Sequence, residues 1–358
     1  MMISHACGGE ALVVPGGMAR AAVVPLLAVA LAGTVLGSLC IGVYPVPLAT
    51  VARILAGLCL PEPFCPVANW TDAQLAVVEV IRLPRVLLAV LAGAGLGLAG
   101  ATLQGTMRNP LVGPDLIGIS SGAACAGILA ILLDWPEWGL LAAAFAGGLL
   151  ALAVSWLLAG LSRAGGVLPL ILAGMAVAAF FTAVHGFIQF TADPENKLPA
   201  IVYWLIGSFA GASMHKVAIL APPVLAAGGG LLLLRWRINL LSLGELDAAA
   251  LGVRIAGLRW SVVALVSLIV AAQVAVSGII GWAGLIVPHF ARMLTGPDHR
   301  RLLPAAALSG GLFLLAMDDI ARTLLAQEVP IGILTAGIGT PIFMLLFWRT
   351  QGRGWTDA

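Results

Sequence analysis

Charge is scarce in this chain. Only 9% of its 358 residues are Asp, Glu, Lys or Arg, against roughly 25% in an ordinary soluble domain, which excludes a soluble globular protein. No G-x-x-x-x-G-K-[ST] run occurs, so the chain brings no nucleotide site of its own. No basic run or aromatic platform occurs either, which excludes a nucleic-acid partner. The five cysteines, Cys7, Cys40, Cys59, Cys65 and Cys125, and the five histidines form no cluster with metal-ligand spacing. The two ways of reading Cys59 and Cys65, a disulfide outside the cytoplasm or two free thiols, both stay open. Residues 1–20 lack a charged n-region followed directly by an apolar run and a cleavage site, and read as a short cytoplasmic tail.

What the chain has in excess is apolar sequence, at 61% of residues, with a mean hydropathy of +1.07. A helical span takes about 20 apolar residues, so there is room for about ten, and the expected fold class is an all-α polytopic membrane protein. The 44 glycines let helix backbones approach closely and predict a tight bundle. The predicted spans are 21–43, 81–107, 116–134, 139–161, 167–190, 218–234, 260–278, a glycine-broken piece over 278–296, 303–325 and 331–348. They form one transmembrane domain, 21–349, followed by a cytoplasmic tail, 350–358. Residues 44–80 read as an amphipathic, Pro-punctuated stretch, and Trp135 and Trp138 as interfacial anchors.

The chain is organised around one polar interruption, Ser242 to Gly257. Ser242 and Glu245 have the spacing of an S-x-x-E capping box, Leu243, Leu246 and Ala250 share a helical face, and Gly252 is suited to end the helix. The expectation is a two-turn amphipathic helix outside the bilayer. From these residues alone it is either an ordinary folded loop or a docking helix for a cytoplasmic partner.

With the N-terminus inside, 12 of the 18 Lys and Arg residues fall on the inner side and 6 on the outer. This agrees with the positive-inside rule and puts Ser242–Gly257 in the cytoplasm. It leaves Arg82, Arg85 and Arg322 at outer span ends, where they either snorkel to headgroups or form a basic rim for an acidic partner. Asp318 and Asp319 invite a metal or proton site; their spacing to Arg322, i+4 and i+3, favours local pairing. His289 reads as a packed histidine and Glu328 as part of a structural turn. His185 is open between contacting cargo and being buried between helices.

Three blocks carry a resemblance: IRLPRVLLAVLAGAGLGLAGATLQGTMRNPLVGPDLIGISSGA, GIIGWAGLIVPHFARMLTGPDHRRLLPAAALSGG and ARTLLAQEVPIGILTAGIGTPIF. They closely resemble the permeases of iron-chelate, haem and cobalamin ABC importers, over about residues 22 to 349. The resemblance implies ten helices, a homodimer with a second permease copy, two cytoplasmic ATPase subunits that hold ATP and Mg, and a periplasmic substrate-binding protein. It implies an inner-membrane location in bacteria, no catalytic residue and no cofactor in this chain. It also implies that Ser242, Leu243, Gly244, Glu245, Leu246, Asp247, Leu251 and Gly252 contact the ATPase, in a helix-in-groove mode. Arg82, Arg85 and Arg322 match the arginines that dock the binding protein's glutamates. Asn109, Leu111, Val167 and Leu168 match the cytoplasmic gate. At Val167 and Leu168 this chain departs from its relatives in lacking hydroxyl residues, so a gate there would close by dewetting.

The expected cargo is a metal chelate: siderophore iron first, then haem or cobalamin. An oxyanion such as molybdate is the related alternative, because ADPENKLPAIVYWLIGSFAG resembles a subgroup whose cargo is not defined. An ion-driven secondary transporter would need acids at the bilayer midplane, and a membrane-embedded transferase would need two acidic motifs; the sequence offers neither.

Overall fold

The computed structural model describes residues 17–60, 69–162, 168–325 and 327–351. Val167 and Cys65 lie outside them, as does the side chain of Cys59, so neither that part of the gate nor the cysteine pair is described. Cys40 and Cys125 are free thiols.

Among the described residues the chain is helical throughout. Fourteen α-helices run α1 (Gly17–Cys40), α2 (Leu48–Cys59), α3 (Asp72–Ala76), α4 (Leu83–Met107), α5 (Ile119–Leu132), α6 (Glu137–Leu161), α7 (Leu168–Thr191), α8 (Lys197–Ile206), α9 (Met214–Leu243), α10 (Glu245–Ala250), α11 (Ile255–Ser277), α12 (Ala283–Thr295), α13 (His299–Thr323) and α14 (Ile331–Gln351). Seven helical stretches are long and apolar enough to cross a membrane. The shorter α5, α12 and α14 occupy the remaining three of the ten predicted positions. Backbone groups have no water to bond in lipid, so helix is the form such sequence must take.

Several boundaries differ from the sequence reading, and each has a local cause. The second span begins at Asp72, where Thr71 and Gln74 form a reciprocal cap. It passes through one π-helical turn, Val77–Arg82, before α4. Pro84, which has no N–H, follows directly, so the wide turn falls where a helical hydrogen bond is lost anyway. The third span starts at Ile119, because Pro114–Ile117 forms a separate 3-10 turn ended by Gly118 at φ 82°. The glycine-broken piece is a coil over Gly278–Trp282 and then α12.

The core is built around α4, which is buried along almost its whole length and packs against α13, α9, α12 and α11. Contact with α13 is backbone to backbone: a Cβ added to Gly93 would lie 2.1 Å from the carbonyl oxygen of Gly310. Small residues at this crossing are what permit it. α1 and α7, in contrast, leave Leu26, Val29, Phe180, Phe187 and Phe190 exposed, as lipid- or partner-facing helices do. The bundle has two chemically distinct ends. Arg108, Arg235, Arg237, Arg254 and Arg300 mark one; Arg82, Arg85, Lys197, Lys216 and Arg322 mark the other.

Candidate functional site

At the first end, α9 does not stop at Arg235-Trp236-Arg237 as its polar residues suggested. It continues to Leu243 because Ile238 and Leu241 are fully buried against the bundle. This overturns the capping box. Ser242 lies inside the last turn of α9 and its hydroxyl donates to the Asn239 carbonyl at 2.6 Å. The residue before α10 is Gly244, at φ 140° and ψ 156°, with no side-chain cap. Glu245 instead pairs with Arg259 at 2.5 Å, tying α10 to the start of α11. A serine caps only from an extended backbone, and the buried Ile238 and Leu241 hold Ser242 helical. The break therefore falls to glycine, which alone tolerates that φ.

The result is a helix of 6 residues hung outside the bundle. It is anchored by buried Ala248 and closed by Gly252 at φ 81°. Apolar side chains on it and at its two ends face out: Leu246 is 87% exposed, and the flanking Leu243 and Leu251 are 62% and 60% exposed. Glu245 and Asp247 lie beside them, also exposed. A helix this short is unstable alone in water, so its shape depends on the Arg259 tie, on Ala248 and on whatever covers the three leucines.

At the opposite end, the three arginines do not form a free basic rim. Arg82 is 4% exposed, Arg85 5% and Arg322 8%. Arg82 donates to the carbonyls of Leu39 at 2.8 Å, Cys40 at 3.2 Å and Tyr44 at 2.5 Å, completing the C-terminus of α1 as a cation does at a helix end. Arg85 binds Asp318 at 2.9 Å and both oxygens of Glu328 at 2.8 Å. Arg322 pairs with Asp319 and donates to the Ser38 carbonyl at 2.6 Å, and the Ser38 hydroxyl donates to Asp319 at 2.6 Å. Arg85 and Arg322 face the three carboxylates Asp318, Asp319 and Glu328, as burial of charge demands, while Arg82 is met by carbonyls alone. Asp318 and Asp319 thus have the pairing role that their spacing to Arg322 suggested. Glu328, half-exposed with its side chain at 41%, is the part of the network open to the outside. Ser38 and Glu328 were not legible as partners, since both lie far along the chain from the arginines they meet.

Asn109, Leu111 and Leu168, which the resemblance assigns to a gate, sit at the arginine-rich end. Arg108 ends α4 in the left-handed region at φ 51°. The Asn109 side chain accepts the Leu111 N–H at 2.9 Å, a self-closed Asx turn, and Leu111 and Leu168 are exposed. The 3-10 turn that follows is held on α7, where a Cβ on Gly174 would lie 2.5 Å from the Leu116 carbonyl oxygen. Beyond it, the Asp298 carboxyl, which caps α13, is held below its usual range by hydrogen bonds from Arg300. His185 Nε2 lies 2.9 Å from the Ser121 carbonyl, which resolves it as a bond between α7 and α5. The Nε2 of His289 is buried without a hydrogen-bond partner.

The model of the FecCD transport family matches residues 28–349, and the chain belongs to that family. The molybdate import system permease protein MolB of Haemophilus influenzae is 43% identical over 320 residues, covering 89% of this chain and 93% of its own. The cobalamin import system permease protein BtuC of Halobacterium salinarum is 40% identical over 302 residues, 82% of this chain and 81% of its own. Among solved structures, an ABC transporter of metal-chelate type in an inward-facing conformation superposes with a TM-score of 0.81 at 42% identity, over 91% of this chain and 99% of that one.

Proposed function

We propose that this chain is the permease subunit of an ATP-driven importer in a bacterial inner membrane. It passes a metal chelate from a periplasmic binding protein to the cytoplasm. The observation that carries the reading is α10, a short helix outside the bundle, at the arginine-rich end, with Leu243, Leu246 and Leu251 uncovered. Such a helix fits a groove in a cytoplasmic ATPase, which supplies ATP and Mg. Two permease copies and two ATPase subunits make the working unit. ATPase closure moves α10, and the bundle rocks between outward- and inward-open states, with Asn109, Leu111, Val167 and Leu168 closing the inner side. Binding-protein carboxylates dock over Arg82, Arg85 and Arg322. Of these, Arg85 is the one an outside carboxylate can reach by displacing half-exposed Glu328.

A second cargo, a molybdate-type oxyanion, has one observation in its favour: the breadth of the likeness to the molybdate permease. Reconstituted transporter separates the two by uptake of a labelled ferric chelate against labelled molybdate. The coupling reading is tested with Leu246→Asp. The folded permease should lose co-purification with its ATPase, and unchanged assembly and ATP turnover would end that reading.

A further inference from the structure

Close to α10, but on a different feature, the ends of α9 and α11 enclose a cavity of about 570 Å³. Its α9 wall is Leu234, Trp236, Arg237 and Leu240; Leu233, outside the cavity, extends the stripe of Trp236, Arg237 and Leu240 along the helix surface, at i, i+3, i+4 and i+7. Facing it is a second stripe, Leu258 and Ser261 of α11 with Arg254, the residue that precedes the helix. The two stripes face each other, and each places a guanidinium beside leucine. Among the described residues no Asp or Glu lines the cavity. Arg259 and Arg300, at the same end, are spent on Glu245 and Asp298. Arg237 and Arg254 have no side-chain partner among the described residues, and both are exposed. Trp236 is exposed beside them, with Arg300 stacked over its ring at 5.2 Å. Further along the α9 stripe, Leu233 is the most exposed leucine of that helix.

Two unneutralised guanidiniums on one small cavity repel each other and favour a bound anion. Arginine binds a phosphate through parallel N–H donors. Basic pockets between helix ends on the cytoplasmic side are where anionic headgroups lodge. We propose that this cavity holds one anionic phospholipid, its phosphate on Arg237 and Arg254 and an acyl chain along Leu233. The leucines favour a lipid over a free anion, because they offer nothing to a small hydrated ion. The cavity's rim is Leu251 to Arg254, the turn that joins α10 to α11. An occupant there props α10 from behind. Lipid composition then sets how well ATP turnover is coupled to transport, a consequence that rests on the docking role proposed for α10. Lipid binding itself does not depend on that role.

The test is native mass spectrometry of the complete permease–ATPase complex, purified in detergent and titrated with phosphatidylglycerol or phosphatidylcholine. Wild type should retain one phosphatidylglycerol per permease copy and no phosphatidylcholine. Each arginine removed should weaken retention roughly fivefold, so Arg237→Ala with Arg254→Ala should lose it about 25-fold, while Lys at both positions restores most of it. Millimolar inorganic phosphate should leave the lipid in place; displacement by phosphate would reassign the cavity to a free anion and overturn the proposal. Equal retention by wild type and the double alanine variant would also overturn it, leaving two arginines that merely reach the bulk headgroups. Loss of ATPase co-purification in the double variant, with no lipid preference in the wild-type permease alone, would give the cavity to the ATPase. If retention behaves as stated but ATP turnover ignores phosphatidylglycerol, the lipid site stands and its effect on coupling through α10 is overturned, while Leu246→Asp still decides the docking role separately.

Discussion

Replacing Asp318 with Asn tests whether the outer arginine network is desolvated. Asp318 is 0% exposed and lies between Arg85, at 2.9 Å, and Arg322, at 3.9 Å. The amide has the same shape, so no cavity opens and the change is one of charge alone. Arg85 keeps only the half-exposed carboxylate of Glu328 and Arg322 only that of Asp319, while the one fully buried carboxylate between them is lost. Removing one partner of a buried ion pair costs about 3–5 kcal/mol, and Asp318 is the fully buried partner here. The other partner of Arg85 is Glu328, with a side chain 41% exposed, and water can replace it, so Glu328→Gln should cost under about 1 kcal/mol. At roughly 2 °C per kcal/mol, Asp318→Asn should lower the unfolding midpoint of the detergent-solubilised permease by about 6–10 °C, and Glu328→Gln by no more than about 2 °C. Removing both partners, with Arg85→Met and Asp318→Leu, should recover much of the loss, since a balanced pair leaves together. Equal small shifts for Asp318→Asn and Glu328→Gln would refute the reasoning, because the network would then be solvated and its burial without energetic consequence.

Three further outcomes follow from particular contacts. Glu328→Gln frees one face of Arg85, so surface plasmon resonance should record faster association of the binding protein, with the gain shrinking as salt rises; slower association would remove Glu328 as the internal competitor. Gly93→Ala puts a methyl 2.1 Å from the Gly310 carbonyl oxygen, and the overpacking should cost about 1–3 kcal/mol in a thermal melt, whereas Gly33→Ala, with nothing within 4 Å, should cost almost nothing. Gly244→Ala forces a side chain into φ 140°, a strain of about 1–3 kcal/mol. It should lower binding-protein-stimulated ATP turnover while the permease still folds, and unaltered stimulation would mean that the α9–α10 break is not held by that backbone.

Much of the bundle was legible because a bilayer leaves a chain few choices. Long apolar runs must be helical, Gly and Pro mark where they break, and arginines mark one end. Errors arose at the boundaries where burial decided. Ser242 and Glu245 have capping-box spacing, yet buried Ile238 and Leu241 draw α9 through Ser242 and push the break onto Gly244. Local spacing cannot register that pull, because the surface that buries those side chains is supplied by other helices.

By itself, then, the sequence determined the class of protein, the direction of its charge asymmetry, the polar interruption that carries α10, and the pairing of Asp318 and Asp319 with Arg322, which sit within one helical turn. Only the tertiary structure decided that Arg82 completes α1 through Leu39 and Tyr44, that Arg85 bridges Asp318 and Glu328, and that Arg237 and Arg254 line one cavity. The reason is the range of the interaction. Solvation and helix-neighbour effects act on residues within a few positions of each other, so they leave a readable spacing. A buried guanidinium can satisfy its donors with any carboxylate or carbonyl that packing brings near, and which one arrives is set by the close approach of α4 to α13.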